Sequence, residues 1–102
     1  SWKIPTGFIP NPEGSSGGIY DPQTLENSIF FPIVEGVTDY QLLIFNRWGE
    51  IVFISKEVLK GWDGYYRGSE KMCAQDVYVW KATGKYATGK SFNKTGSITL
   101  LK

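Results

Sequence analysis

Apolar residues in this chain fall in short runs broken by glycine, proline, asparagine and aspartate, and nowhere at the 3.6-residue spacing of an amphipathic helix. Residues 40–45 are apolar except for Gln41, and residues 51–54 are apolar throughout. Between them stand Asn46, Arg47, Trp48 and Gly49. Asparagine favours the first position of a type I turn, and glycine at the last supplies the positive φ that returns the chain into a second strand. The pattern predicts a tight β-hairpin.

Residues 76–83 form the clearest alternation, with Val77, Val79 and Lys81 on one face and Tyr78, Trp80 and Ala82 on the other. Thr88-Gly89 reads as a turn into a short strand at residues 91–94. After Thr95-Gly96, Ile98 and Leu100 alternate with Thr99 and Leu101 in a last strand. Residues 3–9 and 28–34 are apolar stretches broken by Pro5 and Pro32, which suits edge or bulged strands because proline lacks the donor that a central ladder needs. Residues 10–24 are rich in Pro, Gly, Ser, Asn and Asp and predict a long loop. Residues 55–72 carry Gly61, Gly64 and Gly68 and show neither strand nor helix period, with one helical turn at most over residues 57–60. Six or seven short strands without a convincing helix predict an all-β domain, an immunoglobulin-like β-sandwich of about seven short antiparallel strands.

Composition agrees. Aromatic residues make up 16% of 102 residues, enough for one well-filled core and too few residues for two domains. A net charge of +1, with both signs interspersed, provides no basic stripe for a phosphate backbone, so nucleic acid is not an expected partner. No run approaches the ~18 apolar residues of a membrane-spanning helix, so no direct membrane insertion is expected. The chain opens at Ser1 with no basic-then-apolar leader. We expect an excised C-terminal piece of a larger exported protein, with residues 1–102 forming one domain.

Chemistry is sparsely provided for. With no histidine, the commonest general base and nitrogen ligand are missing. The ten acidic residues lie singly on loops and strand ends, where solvated surface charge is their simplest role. Catalytic residues, cofactor and metal are therefore all expected to be none. Cys73 has no partner cysteine and reads as a partly buried, inert thiol. The aromatics have two readings: a glycan-stacking platform of exposed rings, or packing. Packing is favoured, with Trp48 folded back over its hairpin, Trp62 closing a glycine-flanked loop onto the sheet, and Tyr78 and Trp80 buried against a facing layer. In Gly61-Trp62-Asp63-Gly64 the aspartate suits an Asx turn onto the backbone two residues on.

Taken together, Phe45-Asn46-Arg47-Trp48-Gly49-Glu50, then Gly61-Trp62-Asp63-Gly64, Val77-Tyr78-Val79-Trp80 and the closing Gly96, Ser97, Ile98, Thr99, Leu100, Leu101 and Lys102, resemble the gliding-motility-associated C-terminal domain of Bacteroidota. The resemblance covers most of the chain. It departs at Asp76, where that family usually has glycine, and in the opening loop, where Pro10-Asn11-Pro12-Glu13-Gly14 lacks the usual Gly-Asp-Gly core and Asn27-Ser28 replaces Asn-Asp. Glu13, Asp21 and Glu26 remain a conceivable oxygen cluster for calcium, but a metal-free loop is the better reading. The resemblance implies a non-enzymatic type B sorting domain. Such a domain is recognised as a folded surface by the type IX secretion machinery or an outer-membrane docking protein, which delivers the parent to the cell surface or medium. An open sheet edge is a natural docking element, and the last strand, Gly96 to Lys102, is the expected partner-binding segment. The alternative is a carbohydrate-binding or adhesive module of a cell-surface protein.

Overall fold

A computed structural model describes residues 6–10, 30, 36–58, 60–69 and 71–101. It contains five strands, β1 (Gly7–Phe8), β2 (Val37–Phe45), β3 (Ile51–Ser55), β4 (Asp76–Tyr86) and β5 (Ser91–Leu100), joined in one sheet of order β1-β5-β4-β2-β3. A single 3-10 turn spans Tyr66–Gly68, and no α-helix occurs among the described residues. The fold is all-β. β2, β3, β4 and β5 pair antiparallel, whereas β1 lies parallel to β5, with Gly7 opposite Thr99 and Phe8 opposite Leu100.

The hairpin turn forms as expected. The Gly49 amide donates to the Asn46 carbonyl at 3.0 Å, and Gly49 takes φ +82°. A second turn of the same build joins β4 to β5, with the Gly89 amide donating to Tyr86 at 2.8 Å and φ at Gly89 of +88°.

Strand boundaries differ from the sequence pattern, β2 already beginning at Val37. β4 continues to Tyr86, and β5 runs unbroken from Ser91 through Thr95 and Gly96 to Leu100. The break expected at Gly96 is absent because this glycine faces Trp80 across the ladder. A Cβ at Gly96 would stand 2.7 Å from the Trp80 indole nitrogen. Gly96 therefore makes room for a ring instead of ending a strand.

Alternation sorts each strand into two faces. Tyr40, Leu42, Ile44, Tyr78, Trp80, Ala82, Phe92, Ile98 and Leu100 are buried on one face, while Val77, Val79 and Ile54 are about half exposed on the other. Trp62 and Phe30 cover the buried face at 0% exposure. They exchange two backbone hydrogen bonds of 2.7 Å. The Trp62 ring meets Phe8 at 5.2 Å and Tyr78 edge-on at 4.8 Å, favourable separations for aromatic pairs.

The described residues hold five strands in a single sheet, where the pattern called for about seven in two. Among the described residues the covering layer between residues 60 and 75 holds isolated bridges, Phe30 with Trp62 and Tyr65 with Met72 among them, because its glycines and single apolar residues offer no run long enough for a ladder. Of the expected strands at 3–9 and 28–34, residues 6–9 and Phe30 fall within the described residues, where Gly7–Phe8 forms β1 and Phe30 a bridge. Most of the predicted loop at 10–24, with Glu13, Asp21 and Glu26, lies outside them.

Candidate recognition surface

Parts of each motif come together at one end of the sheet, where the Trp62 ring meets Tyr78 and Gly64 lies by Leu100, while Trp80 and Gly96 pair mid-sheet. β2 and β4 run antiparallel with Phe45 opposite Val79, and β4 begins at Asp76, opposite Leu100. The Asn46–Gly49 turn, the start of β4 and the end of β5 are consequently neighbours.

Asn46 organises the turn with its side chain. Its Oδ1 accepts from the amides of Trp48 and Glu50, each at 2.9 Å, and its Nδ2 donates to Glu50 Oε1 at 3.0 Å. Arg47 reaches across to Asp76 in a two-pronged pair, Nε to Oδ2 at 2.8 Å and Nη2 to Oδ1 at 3.0 Å. The Asp76 departure from the family's glycine thus supplies a carboxylate that fixes the signature arginine.

Trp48 does not fold back over the hairpin. It is 78% exposed and stands beside the Arg47 guanidinium, 5.9 Å from ring centroid to Cζ. Its place on the turn, outside the ladder of β2 and β3, leaves the ring in solvent. Trp62, by contrast, packs as expected, and its indole nitrogen donates to the Tyr65 carbonyl at 3.1 Å. Asp63 makes the Asx turn, accepting from the Tyr65 amide at 3.0 Å. Gly64, at φ +87°, passes so close to the Pro10 ring that a side chain there would collide with it. Gly61 is buried beside Trp62.

A pocket of about 420 Å³ opens between the turn and residues 71–76. Val52, Met72, Cys73, Ala74 and Tyr78 are among its lining, together with Arg47, Trp48, Tyr66 and Lys71. Burial pushes the Cys73 thiol up to about 11, with the Asp63 carboxylate adding to the effect. Tyr78 rises to about 12, chiefly through burial, and its hydroxyl donates to the Ala74 carbonyl at 2.6 Å. A thiol so protonated at neutral pH is a poor nucleophile. The pattern of residues gave no sign of this pocket, because its wall depends on how residues 71–76 return past the hairpin.

The last strand is divided in its roles. Ile98 and Leu100 are buried in the core, while Ser97 and Leu101 are exposed. The outer edge at Thr99 and Leu100 is occupied by β1, with the Thr99 amide donating to Thr6 at 3.0 Å and the Leu101 amide to Phe8 at 2.9 Å. Among the described residues no group of three or more His, Cys, Asp or Glu is disposed to hold a metal. No helix there is long and apolar enough to cross a membrane.

An all-β domain with parts of its signature motifs gathered at one sheet end, around a rigid turn and an exposed tryptophan, has the form of a recognition module. Residues 3–100 match the family described as CHU_C Type IX secretion signal domain, and the chain belongs to that family. Comparison with curated proteins and with solved structures finds no match. Its role is that of a sorting signal for the type IX secretion system, which entails interaction with that machinery and an exported, surface or secreted fate. The family is one of secretion signals and not of enzymes.

Proposed function

We propose that residues 1–102 act as a single C-terminal, non-enzymatic sorting domain that an outer-membrane component of the type IX machinery recognises as a folded surface, after which the parent reaches the cell surface or the medium. The family match over residues 3–100 carries this reading. The gathering of parts of all four motifs at one sheet end supports recognition there. The segment Gly96 to Lys102 contributes its exposed side chains, Ser97 and Leu101, more than its edge, since β1 already pairs with Thr99 and Leu100. The two bridges over the buried face support an immunoglobulin-like sandwich in which residues 60–75 belong to the second layer.

The test is export of a periplasmic reporter fused to the chain in a bacterium with a working type IX system. Deleting Ser97 to Lys102 would remove Ile98 and Leu100 from the core, so substitution is the cleaner probe. Ser97→Asp with Leu101→Asp should leave the thermal unfolding profile near that of the parent and hold the reporter in the periplasm. Undiminished export of this double variant would remove the last strand from the recognition surface.

A further inference from the structure

The pocket beside the Asn46–Gly49 turn has features that packing of the fold does not require. Trp48 is 78% exposed and Tyr66 43%, large apolar areas left in water at the mouth of a cavity that includes Val52 and Tyr78 in its lining. Its wall is held in place in advance. Asp76 grips Arg47 through both carboxylate oxygens, Asn46 ties the turn, and Arg67 Nε donates to the Ile51 carbonyl at 3.3 Å beside the ring of Tyr66. A site that is already ordered loses little conformational freedom on binding. Tryptophan, tyrosine and arginine are the residues that dominate the energetics of protein interfaces.

Charge narrows the occupant. The charged residues lining the pocket are Arg47, Lys71 and Asp76, and both oxygens of Asp76 are engaged by Arg47. Lys71 is thus the lining charge without an opposite partner among the lining residues. The protonated Cys73 thiol keeps the wall beside it neutral.

We propose that this pocket is the docking site for an extended peptide segment of the secretion receptor, one that inserts an apolar side chain against Val52 and Tyr78 and sets a carboxylate beside Lys71. The proposal rests on the sorting reading and names the chemistry that the receptor must present.

Two measurements test it. The first titrates the ¹⁵N-labelled domain with a synthetic acetylated peptide amide, Gly-Asp-Leu-Phe-Asp-Gly, and with its counterpart carrying Lys in place of both Asp. The acidic peptide should shift the Trp48 indole resonance and the Lys71 and Cys73 amides, and the shifts should vanish in Trp48→Ala and Lys71→Glu, whose side chains are exposed and whose fold should be unchanged. No shift at these resonances, or equal shifts with the basic peptide, would overturn the proposal.

The second measures reporter export with Trp48→Ala and Lys71→Glu combined, which should lower the exported fraction by about tenfold or more. Lys90→Ala, in the turn at the opposite end of the sheet, serves as reference and should be exported like the parent. Full export of the pocket variant would overturn the pocket while leaving the sorting role intact. Failure of the unsubstituted chain to export its reporter would overturn the sorting role itself.

Discussion

At the scale of single residues, the pair Trp80 and Gly96 shows how one side chain decides another. Trp80 is 2% exposed in the middle of β4, and its ring lies over the bare Gly96 backbone opposite. Trp80→Ala should destabilise the domain by about 3–5 kcal/mol in chemical denaturation, the usual cost of emptying an aromatic core site. Gly96→Ala should cost about 1–3 kcal/mol through overpacking against the indole. The two losses should be clearly less than additive in the double variant, because the Cβ then has space; strict additivity would mean that the ring and the glycine do not share that space. The burial of Tyr78 and Trp80 was legible in the alternation of β4, since a period of two places both on one face whatever covers it. Trp48 was not. The pattern favours a ring folded back over the hairpin, whereas Trp48 is displayed, because a turn residue carries no period to say whether its side chain packs.

At the scale of elements, the two β-turns are built alike and differ in their side chains. Gly49 and Gly89 hold φ of +82° and +88°, and a Cβ added at either meets nothing within 4 Å. Gly49→Ala and Gly89→Ala should therefore each cost about 1–2 kcal/mol, a purely backbone penalty for the left-handed region. Denaturation midpoints check this, and a neutral Gly49→Ala would mean that the turn relaxes to another type. The first hairpin was legible because apolar runs flank a turn tetrapeptide with asparagine and glycine in their preferred places. The covering layer was harder to read, because residues 60–75 act through one buried ring at a time and carry no period. The parallel pairing of β1 with β5 had no local signal at all, being a contact between residues more than 90 positions apart in the chain.

At the scale of the whole molecule, ionisation sets an alkaline limit on stability. Cys73 titrates at about 11 in the fold against 9.0 for the free group, and Tyr40 and Tyr78 at about 12 against 10.0, burial being the leading cause in each case. Below pH 9 all three are protonated in both states and their contribution is fully present. As pH rises past those unfolded values, the unfolded chain releases protons that the fold retains, and stability falls progressively until the folded groups also titrate. Thermal melts should show a declining midpoint from about pH 9 upward, steepest between pH 10 and 12, and a flat profile there would contradict the burial of these groups.

Function at this scale was legible through the motifs, whose types and spacing carry the family resemblance, while the convergence of parts of each at one sheet end emerged only from the fold. The most direct test of the sorting role is the partition of a periplasmic reporter fused to this chain, compared between a strain with an intact type IX system and the same strain with that system disabled. The account predicts reporter at the surface or in the medium of the first strain and confined to the periplasm of the second. Equal distribution in the two strains would contradict it.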